Sequence, residues 1–205
     1  MKFPFFASFI VFVIWLSYEM KKHGNRHTRE EQAFWEKEAA ANSTRKKSLE
    51  HLDYITLPID TFPMSCLIED STIQEIHKTI LLLSEKKIVN FTGMTNTELK
   101  LTYGAPNITL LTEYDQNFTL LVRTLQKWAE LLFKNNYSDE TKSLLEYAIS
   151  IRSDVSKSYK LLADIYFSEG DFDKIEALVH TASTLNSVMK NAIVRTLKES
   201  YLCND

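Results

Sequence analysis

The stretch YKLLADIYFSEGDFDKIEALVHTA, Tyr159 to Ala182, carries two apolar patterns separated by a hinge at SEGD. Each pattern has helical spacing, and Gly170 suits the left-handed turn at the end of a first helix, where a Cβ is penalised. Asp171 follows as a cap for a second helix. Sliding the stretch toward the N-terminus until Tyr159 falls on Leu125 finds the unit again: Trp128 answers Leu162, Ala129 answers Ala163 and Leu132 answers Tyr166. Asn136 stands where Gly170 turns the chain. Thr141, Leu145, Ala148 and Ser153 answer Ile175, Val179, Ala182 and Ser187. The paired alanines mark close helix crossings and the large groups fill the space between. One hairpin cannot bury its apolar face alone, so neighbours are expected to stack.

Composition agrees with helices. The chain has 205 residues, 44% apolar and 25% charged, with only four Gly and four Pro, which disfavours turn-rich β architectures. The formal charge of −3 argues against a nucleic-acid partner, because phosphate binding needs a basic face. Cys66 and Cys203 are far apart and lack metal-ligand spacing, so reduced thiols are expected. No metal and no cofactor is expected.

The N-terminal run from Phe3 to Met20, MKFPFFASFIVFVIWLSYEM with its first two residues, is interrupted only by Ser8, Ser17, Tyr18 and Glu19. Its length approaches the minimum for a membrane-spanning helix. The flank after it is basic, with Lys21, Lys22, His23, Arg26 and Arg29, so the positive-inside bias predicts a single pass with the N-terminus outside and the C-terminal bulk in the cytoplasm. Trp15 and Tyr18 fit the inner interface. The sequons at Asn42, Asn90, Asn107, Asn117 and Asn136 point instead to export, but such triplets arise readily by chance in a chain rich in Asn, Ser and Thr.

Between anchor and repeats the texture changes twice. Thr28 to about Leu49 reads as a solvated helix capped by Thr28 with Glu31. YITLPID, from Tyr54, reads as a short edge strand or extended arm ended by Pro58. Ile73, Ile76, Ile80, Leu81 and Leu83 give a helix starting near Ser71. LKLTYG and NITLLTEY, flanking Gly104–Pro106, fit either strands or short helices. The predicted fold is mainly α: a transmembrane helix over 1–22, a juxtamembrane helix over 23–50, a small mixed α/β or irregular segment over 51–114, and a helical hairpin stack over 115–205.

Residues Tyr159, Leu162, Ala163, Tyr166, Gly170, Val179 and Ala182 resemble the signature of a tetratricopeptide repeat. The period agrees, since that repeat is about 34 residues long and carries two helices. Ile175 and Ser187 depart from the pattern, as do Asn136 and Thr141 in the first copy, and the helix after Ser187 resembles a cap. The resemblance implies a partner-binding surface on the first helix of each hairpin: Arg123, Gln126, Glu130, Phe133 and Lys134, then Lys157, Lys160, Asp164 and Phe167. Cations mixed with aromatics imply a protein or peptide partner with acidic and apolar groups. FWEKEAAANSTRKK, YITLPID, SEKKIVNFTG and YGAPNITLLTEYDQNFTLLVRTLQKWAE further resemble a group of short single-pass proteins of anaerobic Gram-positive bacteria; this implies membrane tethering and supplies no activity.

The expected role is thus a membrane-anchored adaptor. A small-ligand site in the polar 90–114 region is the alternative. Catalysis is not expected: His51 with Asp53, and Glu113 with Asp115, are mere neighbours, His77 has no second ligand at helical spacing, and Cys66 has no His beside it in sequence. Nucleophile-elbow, zinc and nucleotide-loop motifs are missing from the sequence.

Overall fold

A computed structural model describes the backbone of residues 4–202 and the side chains of that span apart from 4–7 and 22–28. Eight helices follow in order: α1 Pro4–Ser43, α2 Ser71–Ser84, α3 Asn96–Tyr103, α4 Ile108–Lys134, α5 Ser138–Ser150, α6 Ser156–Glu169, α7 Phe172–Ser183 and α8 Lys190–Leu197. A π turn, Lys198–Leu202, continues α8, and short 3-10 turns lie at Ile59–Thr61 and Ala105–Asn107. The chain forms two compact units. One holds the residues up to Lys47 with Thr95–Ile108; the other holds Ser48–Met94 and the chain from Thr109 on.

Two expectations are corrected. Among the described residues no helix is long and apolar enough to cross a membrane. That overturns the single span at 1–22, together with the N-outside, cytoplasmic location that rested on it; Met1 to Phe3 of that span lie outside the described residues. Polar residues interrupt the apolar run: Ser8 stands before Phe9, and the stretch Phe9 to Leu16 ends at Ser17. Ser17, Tyr18, Glu19 and Lys21 then dilute it within the same helix, which runs unbroken through Thr28, the residue expected to start a second one.

The mixed α/β middle is the second correction, since no strand occurs among the described residues. YITLPID is an extended arm. Ile55 N–H donates to the Ile88 carbonyl at 2.9 Å, but Pro58 offers no N–H and a 3-10 turn begins at Ile59, so no ladder propagates. LKLTYG and NITLLTEY are helical, in α3 and the start of α4. The cap of α2 is Asp70 rather than Ser71: its carboxylate accepts from Thr72 N–H at 2.7 Å and Ile73 N–H at 3.2 Å.

The smaller unit is built by α3 lying on the C-terminal part of α1. Thr95 and Glu98 form a reciprocal capping box at the start of α3. Lys100 reaches Glu38 at 3.4 Å and Asn42 at 2.8 Å, and Thr97 donates to Glu38. These donors hold the Glu38 carboxyl below its usual range, the Thr97 bond most strongly. Gly104 closes the turn at φ +97; a Cβ there would sit 2.2 Å from the Arg45 carbonyl oxygen. Asn107, fully buried, donates to the carbonyls of Lys47 and Tyr103 at 2.8 and 2.7 Å.

The larger unit carries the main core. Residues one period apart match in burial: Leu125 and Tyr159, Trp128 and Leu162, Ala129 and Ala163, Leu132 and Tyr166, Thr141 and Ile175, Leu145 and Val179, Ala148 and Ala182 are all buried. The turns match too. Asn136 at φ +64 and Gly170 at φ +75 are left-handed, and the carbonyls of Leu132 and Tyr166 accept from Tyr137 and Asp171 N–H at 3.0 and 2.9 Å. The register continues into α8, where Ile193, Leu197 and Tyr201 are buried one period beyond Tyr159, Ala163 and Phe167. The α4 helix begins at Ile108, before the expected start of the hairpin stack at 115, because Asn117, Tyr114 and Leu111 continue its buried stripe.

Candidate functional site: the face of α4, α6 and α8

The nine side chains singled out from sequence divide into two groups. Gln126 is 7% exposed and works as a link between helices: its Oε1 accepts from Ser158 Oγ at 2.5 Å and its Nε2 donates to Glu130 at 3.0 Å. Glu130 also pairs with Lys157 at 3.5 Å. One repeat further on, the same two positions face α8. The Tyr201 hydroxyl donates to Asp164 Oδ1 at 2.5 Å and approaches the Lys160 carbonyl at 3.4 Å. Burial and the neighbouring Asp164 carboxylate push the Tyr201 hydroxyl above its ordinary range, so it remains a donor at all physiological pH. Gln126 is thus committed to the seam between α4 and α6, while Glu130 and Asp164 bridge seams with carboxylates still exposed to water.

The others are presented to solvent. Phe133 is 42% exposed, and Phe167, its counterpart in the next repeat, is 43% exposed. Phe167 is braced from both sides, its ring 5.7 Å from Phe172 and 5.8 Å from Tyr201. Arg123, Lys134, Lys157 and Lys160 are exposed on the same helices. The Lys157–Glu130 pair is open to water, which limits what it contributes to less than about 1 kcal/mol and leaves the ammonium ready to exchange partners. A face with two exposed aromatics, one of them braced, and unburied cations can take an apolar side chain flanked by carboxylates.

Sequence reading missed Tyr201. One more step of the period, Phe133 to Phe167 to Tyr201, would have found it. It also passed over a groove of about 520 Å³ on the other side of α6, lined from α5 and α7.

Elsewhere the polar 90–94 segment is engaged within its unit. Asn90 Nδ2 donates to the carbonyls of Ile151 and Arg152 at 3.2 Å each, and Gly93 lies against Asn186. The sequon residue Asn117 is buried, donating to the Lys87 carbonyl at 3.0 Å. His51, Asp53 and Glu113 are exposed, while half-buried Asp115 accepts from Phe91 N–H at 3.4 Å. Burial pushes the Cys66 thiol up, away from the reactive thiolate; Cys203 lies outside the described residues. Among the described residues no three His, Cys, Asp or Glu side chains cluster as a metal site. Comparison of the chain with protein-family models, curated protein sequences and solved structures finds no match.

Proposed function

We propose that residues 115–202 form a tetratricopeptide-like scaffold whose first-helix face captures a peptide segment of a partner protein carrying acidic and apolar side chains. The observation that carries this reading is the pair Phe133 and Phe167: two equally exposed phenylalanines one period apart, on helices that also expose Arg123, Lys134 and Lys157. Trp128, Tyr159 and Tyr166 on the same helices are buried, so the rings at 133 and 167 stand on the surface face of those helices. Rigid aromatics beside cations are the groups that most often dominate binding energy. The Phe172 and Tyr201 rings fix Phe167 in advance, which lowers the ordering entropy a partner must overcome.

Panning a displayed random-peptide library against the full chain tests this. Enriched sequences should combine Asp or Glu with Leu, Ile or an aromatic. Their affinity should fall about tenfold or more in Phe167→Ala and in the Lys157→Glu, Lys160→Glu double variant, with unchanged thermal melting. Failure to enrich, or equal binding by all variants, removes the assignment.

A further inference from the structure

The two repeats differ at one place that should be alike. In the first, the Phe62 ring is inserted edge-on against Trp128, centroids 5.9 Å apart, and against Tyr147, at 5.1 Å. Phe62 comes from outside the repeat, on the segment Pro58–Met64, and is buried. One period beyond Trp128 and Tyr147 stand Leu162 and Thr181, both much smaller. The 205 residues contain no second copy of the Pro58–Met64 segment. Leu162 and Thr181 line the 520 Å³ groove between α5 and α7, together with Tyr166, Ala177 and Leu178. Its volume is that of a pocket for a small ligand or a side chain with its backbone.

The polar groups of this groove are unevenly occupied. Glu146 accepts the Tyr166 hydroxyl at 2.7 Å, and Lys174 pairs with Asp171 at 2.8 Å. Arg152 and His180, also lining it, have no side-chain hydrogen bond or ion pair among the described residues. Arg152 sits at φ +59, a left-handed conformation that a non-glycine residue adopts at a cost of order 1 kcal/mol. The groove therefore pairs an apolar floor with an unengaged guanidinium at its edge.

We propose that this groove receives a phenylalanine side chain from a peptide segment of another protein, with an acidic residue of that segment against Arg152. The chain's own Phe62 is the template: the same repeat position, filled in cis in the first copy, is filled in trans in the second. The site is separate from the α4–α6–α8 face and stands or falls independently of it.

The probe is the peptide Pro-Ile-Asp-Thr-Phe-Pro-Met, copied from residues 58–64, titrated calorimetrically into the full chain. Saturable one-to-one binding is expected, weakened about tenfold or more by replacing the peptide's Phe with Ala, and several-fold by replacing its Asp with Asn. Thr181→Tyr, which restores the first-copy residue, should abolish binding. Ala177→Leu, on an exposed position, should do so as well and decides the matter if Thr181→Tyr misfolds. Arg152→Asn should reproduce the loss seen with the Asn peptide, whereas Phe167→Ala should leave affinity unchanged. Absence of saturable binding, or binding indifferent to the peptide's Phe or to both groove variants, overturns the proposal. So does preferential binding of sodium octanoate, which would assign the groove to a small amphiphile. Self-association abolished by Ala177→Leu without peptide binding would assign it to a second copy, and overturns it equally.

Discussion

Gly93 and Gly170 share a positive φ, +85 and +75, yet their surroundings separate two effects of the missing Cβ. Around Gly170 nothing lies within 4 Å of an added Cβ, so Gly170→Ala is expected to lose only the left-handed backbone preference, about 1 kcal/mol. At Gly93 an added Cβ would fall 2.1 Å from the Asn186 carbonyl oxygen, so the loop must also move. Denaturant unfolding should place Gly93→Ala well below Gly170→Ala in stability, by at least about another 1 kcal/mol. Equal losses would mean that the 90–94 loop does not brace the α7–α8 turn. His77 gives the pH dependence at this scale. Its ring lies 5.0 Å from that of Trp128, its Nε2 is buried without a partner, and burial lowers its pKa. The folded state therefore resists protonation while the unfolded chain accepts it near pH ~6.5. Unfolded molecules bind more protons below that value, so stability should fall as pH drops from about 7 toward 5. His77→Phe should flatten that slope in pH-dependent thermal melts; a slope unchanged by the substitution would place its origin at other groups.

At the scale of elements, the alanines decide how helices meet. Ala129, Ala148, Ala163 and Ala182 are all fully buried, and their small side chains let adjacent helices approach. Ala163→Trp is expected to destabilise the larger unit by roughly 1–3 kcal/mol or more through overpacking, read as a lower denaturant midpoint. Wild-type melting would mean that the α6 crossing has spare room. This level was the most legible in sequence, because period, turn residue and small-residue positions are local signals. Capping was less so. Ser71 looked like the start of α2, but Asp70 supplies the cap, since its carboxylate reaches two N–H groups where a serine hydroxyl at the next position is already inside the helix. YITLPID had a strand's composition and found no partner edge, and propensity without pairing does not make a strand.

Across the whole larger unit, α8 continues the register of α4 and α6: it buries Ile193 and Leu197, and Tyr201 in the π turn after it donates to Asp164 of α6. Stacked repeats are stabilised by their neighbours, so a chain ending at Met189 should unfold at lower temperature, with the loss spreading into α6 and α7 as faster amide hydrogen exchange. Protection of α6 unchanged by the truncation would make α8 an appendage. The sequence by itself determined the helical character of the C-terminal half and the left-handed turns at Asn136 and Gly170, because each follows from side-chain size and backbone preference over a few neighbouring residues. Only tertiary structure decided which candidate side chain is tied up in a seam, as Gln126 is. It alone decided that Phe62, from outside the hairpins, packs against Trp128 and Tyr147. Those outcomes depend on which groups meet across long separations of chain, where no local periodicity records the pairing.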